Sequence, residues 1–342
     1  MKKIRFGIIG YGHIGKRHAQ RILENEQAEL IAVCDNKEHE MEEAPSGVFK
    51  TTDHNELLQI EKIDVVCVAT PNYLHAPMSV DSLNKGKHVL CEKPMALNVL
   101  DTNKMILAAQ RNKRELFVVK QNRFNPPIQK TKELLEKNAL GDILFFVINC
   151  FWNRNADYYL NSDWKGSKEK YGGTLFTQFS HFIDIAYFLF GDFVSVQAIG
   201  ENMNHADTIE FEDTGVINFE LANGSLGSLN YTTCSYKQNL EGSISIFGTK
   251  GTMKIGGQYL NVLDYYNIED VTIKNLEPGN PSNDYGFYQG SMSNHDISIA
   301  NVINTINGKE VIATSAFEGM KVVQLIESAY ESMISGKKIR IR

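Results

Sequence analysis

Ile4-Arg5-Phe6-Gly7-Ile8-Ile9-Gly10-Tyr11-Gly12-His13-Ile14-Gly15 opens the chain with a short apolar run that ends in glycines. The apolar run reads as a strand, and residues 14–25 continue as a helix with Ile14, Ala19, Ile22 and Leu23 on one face. Gly10, Gly12 and Gly15 spell GxGxxG between the two. A second strand, residues 29–34, ends at Asp35, about 20 residues beyond the last glycine, which is the spacing a dinucleotide-binding βαβ unit requires. Gly10 would permit the tight turn, Gly12 would let the backbone approach a pyrophosphate, and Gly15 would let helix and strand pack closely. The helix N-terminus, with His13 and Ile14 in its first turn, would offer N–H groups to the phosphates. Asp35 would accept hydrogen bonds from the ribose hydroxyls and repel a 2′-phosphate, which favours NAD; Lys37, two residues on, leaves room for NADP.

Working outward, apolar strands alternate with helices. Strands are expected at 63–69, 87–91 and 115–120, with helices at 54–60, 76–85 and 98–112. Near-continuous apolar strands separated by helices imply a parallel sheet covered on both faces. Past residue 122 the pattern changes. Pro126-Pro127 breaks the chain and a helix at 128–138 follows. Strands at 143–151, 194–200, 214–221, 225–233, 243–248 and 251–255 then alternate apolar and polar residues. Asn223-Gly224 and Thr249-Lys250-Gly251 join neighbours over hairpin distances. Helices are expected at 179–190, 295–307 and 314–334. The fold class is therefore an α/β Rossmann domain with a doubly wound parallel sheet, residues 1–122, followed by an α+β domain with a mostly antiparallel open sheet, residues 123–342.

The chain has 342 residues with 35 Lys and Arg against 41 Asp and Glu, a net charge of −6. That balance argues against a nucleic-acid partner, which needs a basic surface. No apolar run reaches the roughly 18 residues of a membrane helix. The first apolar run is also too short for a signal peptide. Cys34, Cys67, Cys91, Cys150 and Cys234 include no CxxC pair, so neither a disulfide framework nor a zinc ribbon is expected. A reducing, cytoplasmic location follows. His13 and His18 have finger-like spacing but no cysteine pair, so no metal is expected.

Three further motifs carry a resemblance. Ala69-Thr70-Pro71-Asn72-Tyr73-Leu74-His75 follows the third strand, and Cys91-Glu92-Lys93-Pro94 the fourth. Gly172-Gly173-Thr174-Leu175-Phe176-Thr177-Gln178-Phe179-Ser180-His181-Phe182-Ile183-Asp184 comes later. Together with GxGxxG they resemble the glucose-fructose oxidoreductase / inositol dehydrogenase / rhizopine-catabolism (Gfo/Idh/MocA) family of dehydrogenases over essentially the whole chain. The segment Tyr158-Tyr159-Leu160 with Trp164-Lys165-Gly166 partly resembles UDP-N-acetylglucosaminuronate 3-dehydrogenases.

Read as chemistry, oxidation of a carbinol needs a base within reach of the hydroxyl. Lys93 falls at the carboxyl edge of the parallel sheet, where such folds bind ligands, and burial would make it a better base near neutrality. The resemblance gives Lys93 the same place and makes His181 its partner, holding the reacting oxygen or sharing the proton. It also implies that Thr70, Pro71, Asn72 and His75 cover the cofactor, that Glu92 and Lys93 approach its ribose and ring, and that Gln121, Trp164 and Lys165 reach the nicotinamide side. Lys93, Arg123, Tyr159, Thr177 and His181 are the expected substrate contacts. Lys120, Arg123, Arg154 and Lys165 supply cations for a diphosphate or carboxylate. Residues 285–295, polar and aromatic, read as a loop closing the site or as a surface turn leading into the next helix.

Many members carry an aspartate four residues before the histidine; here it is Thr177. That departure points away from inositol and toward nucleotide-linked or acidic sugars. The expected activity is NAD(P)-dependent oxidation of a sugar secondary hydroxyl, by a homodimer or homotetramer. Free sugar or inositol dehydrogenation, and a non-catalytic dinucleotide sensor, are the competing readings.

Overall fold

The computed structural model describes residues 3–274, 276–284 and 289–341. Of the expected closing loop, residues 285–288 lie outside that description. The chain divides into two compact units. The first runs to Lys120 and adds His295–Val323; the second is Gln121–Asn294 with the chain from Gln324.

In the first unit the order is β1 (Ile4–Ile9), α1 (His13–Leu23), β2 (Ala28–Cys34), β3 (Phe49–Thr51), α2 (His54–Leu58), β4 (Val65–Val68), α3 (His75–Asn84), β5 (His88–Cys91), α4 (Val99–Asn112) and β6 (Leu116–Val118). The strands form one sheet in the order β3-β2-β1-β4-β5-β6, all pairs parallel. Strand order reverses between β1 and β4, so the crevice at their carboxyl ends is the natural ligand site. Val65, Val66, Cys67 and Val68 are fully buried, as a central strand covered on both faces must be.

The second unit continues with α5 (Pro126–Glu136), β7 (Ile143–Phe151), α6 (Ala156–Leu160), α7 (Lys168–Tyr171), α8 (Thr174–Thr177) and α9 (Ser180–Phe190). Strands β8 (Phe193–Glu201), β9 (Thr214–Leu221), β10 (Leu226–Thr232), β11 (Glu241–Gly248), β12 (Gly251–Gly256) and β13 (Val262–Ile268) follow, then a short pair, β14 (Ser282–Asp284) and β15 (Gln289–Met292). With β16 (Ile339–Arg340) from the end of the chain, the large sheet has the order β13-β12-β11-β7-β10-β9-β8-β16. Among the described residues of this sheet, only β7 and β10 pair in parallel. One face is buried: Phe146 of β7 stacks on Phe190 of α9 at 4.3 Å, and Phe179 lies 4.7 Å from Tyr231 of β10. The other face carries Phe145, Ile199, Val216, Leu226 and Phe247, all exposed.

The chain ends with α10 (His295–Ile306), α11 (Ala316–Ser335) and β16 (Ile339–Arg340). The sequence reading placed all of 123–342 in the second domain. Instead α10 belongs with the first unit, because Ile299, Val302 and Ile303 share a core with Ala19 and Ile22 of α1 and with β1 and β4. The division between the units falls within α11. Among the described residues, no helix is long and apolar enough to cross a membrane.

Candidate active site

The glycine turn is built as its spacing requires. Gly10 has φ +89°, and a Cβ there would lie 2.6 Å from the Ala69 carbonyl at the end of β4. A Cβ on Gly15 would stand 2.0 Å from the Gly10 oxygen. Gly12 differs: nothing lies within 4 Å of where its Cβ would be. It is also the N-cap of α1 and brings no side chain to cap the helix. The N-terminal N–H groups of α1 therefore face an open cradle suited to a diphosphate. At the end of β2, Asp35 accepts from Tyr11 N at 2.7 Å and from Lys37 N at 2.9 Å. This fixes the carboxylate beside the glycine turn, with lone pairs left for two ribose hydroxyls. His13 is exposed and Ile14 half-buried in the first turn of α1. The set fits a dinucleotide such as NAD.

The loops after β4 and β5 are tied to each other. The buried His75 ring sets Nδ1 2.6 Å from the Pro94 carbonyl and Nε2 2.9 Å from the Thr70 carbonyl. Its imidazole thus bridges the backbones of the two loops. Thr70 and Pro71 are half-buried and Asn72 is buried.

Glu92 is also turned inward. Its Oε1 lies 2.7 Å from His18 Nε2 and 3.7 Å from His295 Nε2, while Oε2 accepts from Lys93 N at 3.2 Å. Burial works against the charge, yet the hydrogen bond from His18 and the nearby His18, His295 and Lys93 hold the carboxyl well below the usual range. Burial pushes His295 down to about 3, so it stays neutral beside the carboxylate. The carboxyl expected at the cofactor ribose is thus anchored to two imidazoles from α1 and α10. One donor atom from each of the three groups lies within 4.8 Å of the others. The 2.7 Å contact makes the cluster a hydrogen-bonded network. His295 reads from sequence only as the end of a loop, and its place beside Glu92 is hidden because spacing arguments see only neighbours along the chain. Lys93 itself is half-buried, in the turn directly after β5.

In the second unit, His181 is buried in the first turn of α9. Asp184, one turn on, holds Arg123 through two bonds, Nε to Oδ2 and Nη2 to Oδ1, both 2.8 Å. Arg123 is 2% exposed and stacks over Phe188. Its charge is paired with Asp184. Tyr159 is 1% exposed, wedged edge-on among Tyr158, Tyr171, His205 and Phe211. Gln121 gives its side-chain N–H to Ser291 Oγ at 2.9 Å.

Thr177 is half-buried and donates to the Tyr171 carbonyl at 3.2 Å; Gln178 donates to the Tyr158 and Tyr171 hydroxyls. Trp164 packs on the same tyrosine cluster. Nearby, Lys165 sets its ammonium 4.0 Å above the Tyr158 ring, and the buried Arg154 guanidinium lies 5.2 Å from the Trp152 ring centre and 5.3 Å from that of Tyr158. Lys93 and His181 belong to different units, so each was placed within its own.

Comparison with known proteins bears on what this set does. The model of an oxidoreductase family with an NAD-binding Rossmann fold matches residues 4–120, and that of its C-terminal alpha/beta domain matches residues 132–341. The chain is similar to the WlbA dehydrogenase from Bordetella pertussis, solved in complex with NADH and UDP-GlcNAcA, with 34% identity, TM-score 0.89, and 100% and 99% of the two chains covered. The corresponding enzyme from Chromobacterium violaceum, also with NADH and UDP-GlcNAcA, is 32% identical with TM-score 0.90, covering 100% and 97%. Glucose-6-phosphate 3-dehydrogenase of Bacillus subtilis is 26% identical over 342 residues, covering 97% of this chain and 96% of its own.

Proposed function

The chain belongs to the Gfo/Idh/MocA oxidoreductase family, whose two domain models span nearly all of it, and on that premise we propose that it oxidises a secondary hydroxyl of a nucleotide-linked acidic sugar, as a UDP-N-acetylglucosaminuronate 3-dehydrogenase does. It is an NAD-dependent oxidoreductase. What carries the finer reading is full-length likeness, at 34% identity, to a dehydrogenase solved with UDP-GlcNAcA. Thr177, where many relatives have an acid, supports the same substrate class.

When bound, NAD supplies the hydride acceptor. Gly10, Gly12, Gly15 and Asp35 would hold its diphosphate and ribose. Lys93 takes the hydroxyl proton, its backbone N–H held by Glu92. His181 orients the reacting oxygen or shares that proton. Beside Arg123, which pairs with Asp184, the buried Arg154 and Lys165, both set against the Tyr158 ring, are the cations proposed to face the anionic groups of the substrate.

The exposed apolar face of the large sheet is assigned to a second copy of the chain, in a homodimer or homotetramer. The cysteines stand free, as a reducing cytoplasm would keep them. The test of the activity is a screen of UDP-sugars, UDP-sugar uronates, sugar phosphates and free polyols for NAD reduction by absorbance. UDP-GlcNAcA should lead; preference for glucose 6-phosphate or a free polyol would replace the substrate assignment.

A further inference from the structure

The glycine-rich segment that leads to His181 is held by two residues that no motif marks. Gly173 has φ +112°, and a Cβ there would lie 2.0 Å from the Tyr330 hydroxyl oxygen and 3.3 Å from Glu212 Oε2. So the turn is glycine because a carboxyl and a phenol from β9's entry and α11 press against it. The Tyr330 hydroxyl donates to Glu212 Oε1 at 2.8 Å and accepts from Leu175 N at 3.3 Å. Thr174 Oγ1 donates to the same Oε1 at 2.5 Å. The Thr174 carbonyl in turn accepts from Gln178 N at 2.9 Å and Phe179 N at 3.1 Å, at the entry to α9. A continuous hydrogen-bonded path thus runs from Glu212 through Thr174 to the helix that bears His181.

We infer that Glu212, acting with Tyr330, is the positioning residue that sets the Gly172–Gly173 turn and, through Thr174, the first turn of α9. Glu212, Thr174 and Tyr330 are needed as polar groups; a purely structural contact here would be made more cheaply by apolar side chains, since burying a carboxyl without a cation is costly. Burial pushes the Glu212 carboxyl up to about 7, against the hydrogen bonds from Thr174 and Tyr330. The titratable groups facing it are Tyr330 of α11 and Tyr231 of β10, both phenols pushed further up by burial, and Lys168 lies 6.0 Å above the Tyr330 ring. Asp213, next in the chain and paired with His205, also faces the Tyr231 phenol, and ionisation of Glu212 brings charge into the network as pH rises through neutrality.

This inference rests on His181 acting in the reaction proposed above, and its test separates the two. Tyr330→Phe and Glu212→Gln are compared with wild type in three ways: NAD affinity by calorimetry, NAD reduction with UDP-GlcNAcA across pH, and the His181 imidazole resonance by NMR, assigned by its loss in His181→Asn. Tyr330→Phe should leave NAD affinity unchanged, move the His181 resonance, and lower kcat about ten- to a hundredfold, the effect of a misplaced group. Glu212→Gln keeps an acceptor that cannot ionise, so it should remove the component of the kcat profile that titrates near 7 in wild type. If both variants only lower Tm, with the His181 resonance and the kcat profile as in wild type, the residues are structural and the inference fails. If wild type itself does not turn over UDP-GlcNAcA, the substrate assignment fails, and the resonance still decides the positioning role.

Discussion

Arg123 and Asp184 form a buried, doubly hydrogen-bonded ion pair, with both contacts at 2.8 Å and neither side chain more than 2% exposed. It ties the segment after the first unit's last strand to α9, the helix of His181. Removing one partner leaves the other charged and buried, which costs about 3–5 kcal/mol. Asp184→Asn should therefore lower Tm strongly. Replacing both residues by leucine should recover part of the loss, because no charge is then stranded. Chemical denaturation of the single and double variants checks this; a double variant as unstable as the sum of the two single ones would show that the pair is not coupled.

Two glycines of one motif should behave differently on mutation to alanine. At Gly15 the new methyl would meet the Gly10 oxygen at 2.0 Å, so the fold must shift. Overpacking of that kind costs about 1–3 kcal/mol. At Gly12 nothing stands in the way, so the apo protein should keep its Tm while the methyl intrudes on the diphosphate. NAD affinity should fall about tenfold or more, equal to about 1.4 kcal/mol. Calorimetry and thermal melts of the two variants decide it; Gly12→Ala binding NAD as tightly as wild type would remove the phosphate from this cradle.

The contrast shows what was legible in the sequence. The glycine turn is local: φ at Gly10 and the closeness of Gly15 to Gly10 follow from the six residues Gly10-Tyr11-Gly12-His13-Ile14-Gly15, so spacing alone conveyed them. The central strands were legible because both their faces are buried and they read as unbroken apolar runs. Strand β3 was missed, since its Phe49 and Lys50 are exposed and only three residues pair. Edge strand β13 was missed for a related reason: its polar Asp264 and Asn267 break any alternation. In the site, Glu92 was visible by motif, but its partners were not. His18 comes from a helix face and His295 from the far end of the chain, and their meeting is a tertiary event. The pairing of Arg123 with Asp184 was equally out of sight, because 61 residues separate the two along the chain.

The exposed sheet face has a simple consequence. Strands β7, β10 and β11 bring Phe145, Leu226 and Phe247 into one row, with Phe145 opposite both others, and β8 and β9 pair Ile199 with Val216. Ile217, Phe219 and Leu229 of the same strands point into the core. Ile199→Glu with Phe145→Glu should convert an oligomer into a monomer at micromolar protein, read by light scattering. A wild-type protein of monomeric mass would refute the oligomer outright.

His205 and Asp213 give a pH dependence of definite sign. His205 Nδ1 lies 2.8 Å from Asp213 Oδ2, and that bond, aided by Cys234 and opposed by burial, pushes the imidazole up to about 9. A base with a raised folded pKa stabilises the fold fully below its unfolded value of 6.5, and the gain is lost as pH rises through about 9. Thermal melts between roughly pH 6 and pH 10 should show wild type losing stability over that range. His205→Gln should be less stable at the acid end and flatter across the rest. Parallel curves for the two proteins would remove His205 from the titration.

Catalysis gives the most demanding test, because Lys93 and His181 are assigned from chemistry and motif. Lys93→Met keeps the stem and removes the base. NAD affinity should survive, since the glycine turn and Asp35 are untouched, while turnover should fall about 10²–10⁴-fold, the usual worth of a general base. His181→Asn should cost less, because Lys93 remains and water can take the place of the ring. If both serve one proton transfer, the double variant should be little worse than Lys93→Met alone, since residues acting as a unit are not additive. Single-turnover kinetics with NAD and UDP-GlcNAcA, where product release does not mask chemistry, is the measurement. Near wild-type turnover in Lys93→Met would take Lys93 out of the mechanism and leave His181 as the base. Fully additive losses would keep both residues but separate their tasks, with Lys93 moving the proton and His181 fixing the sugar.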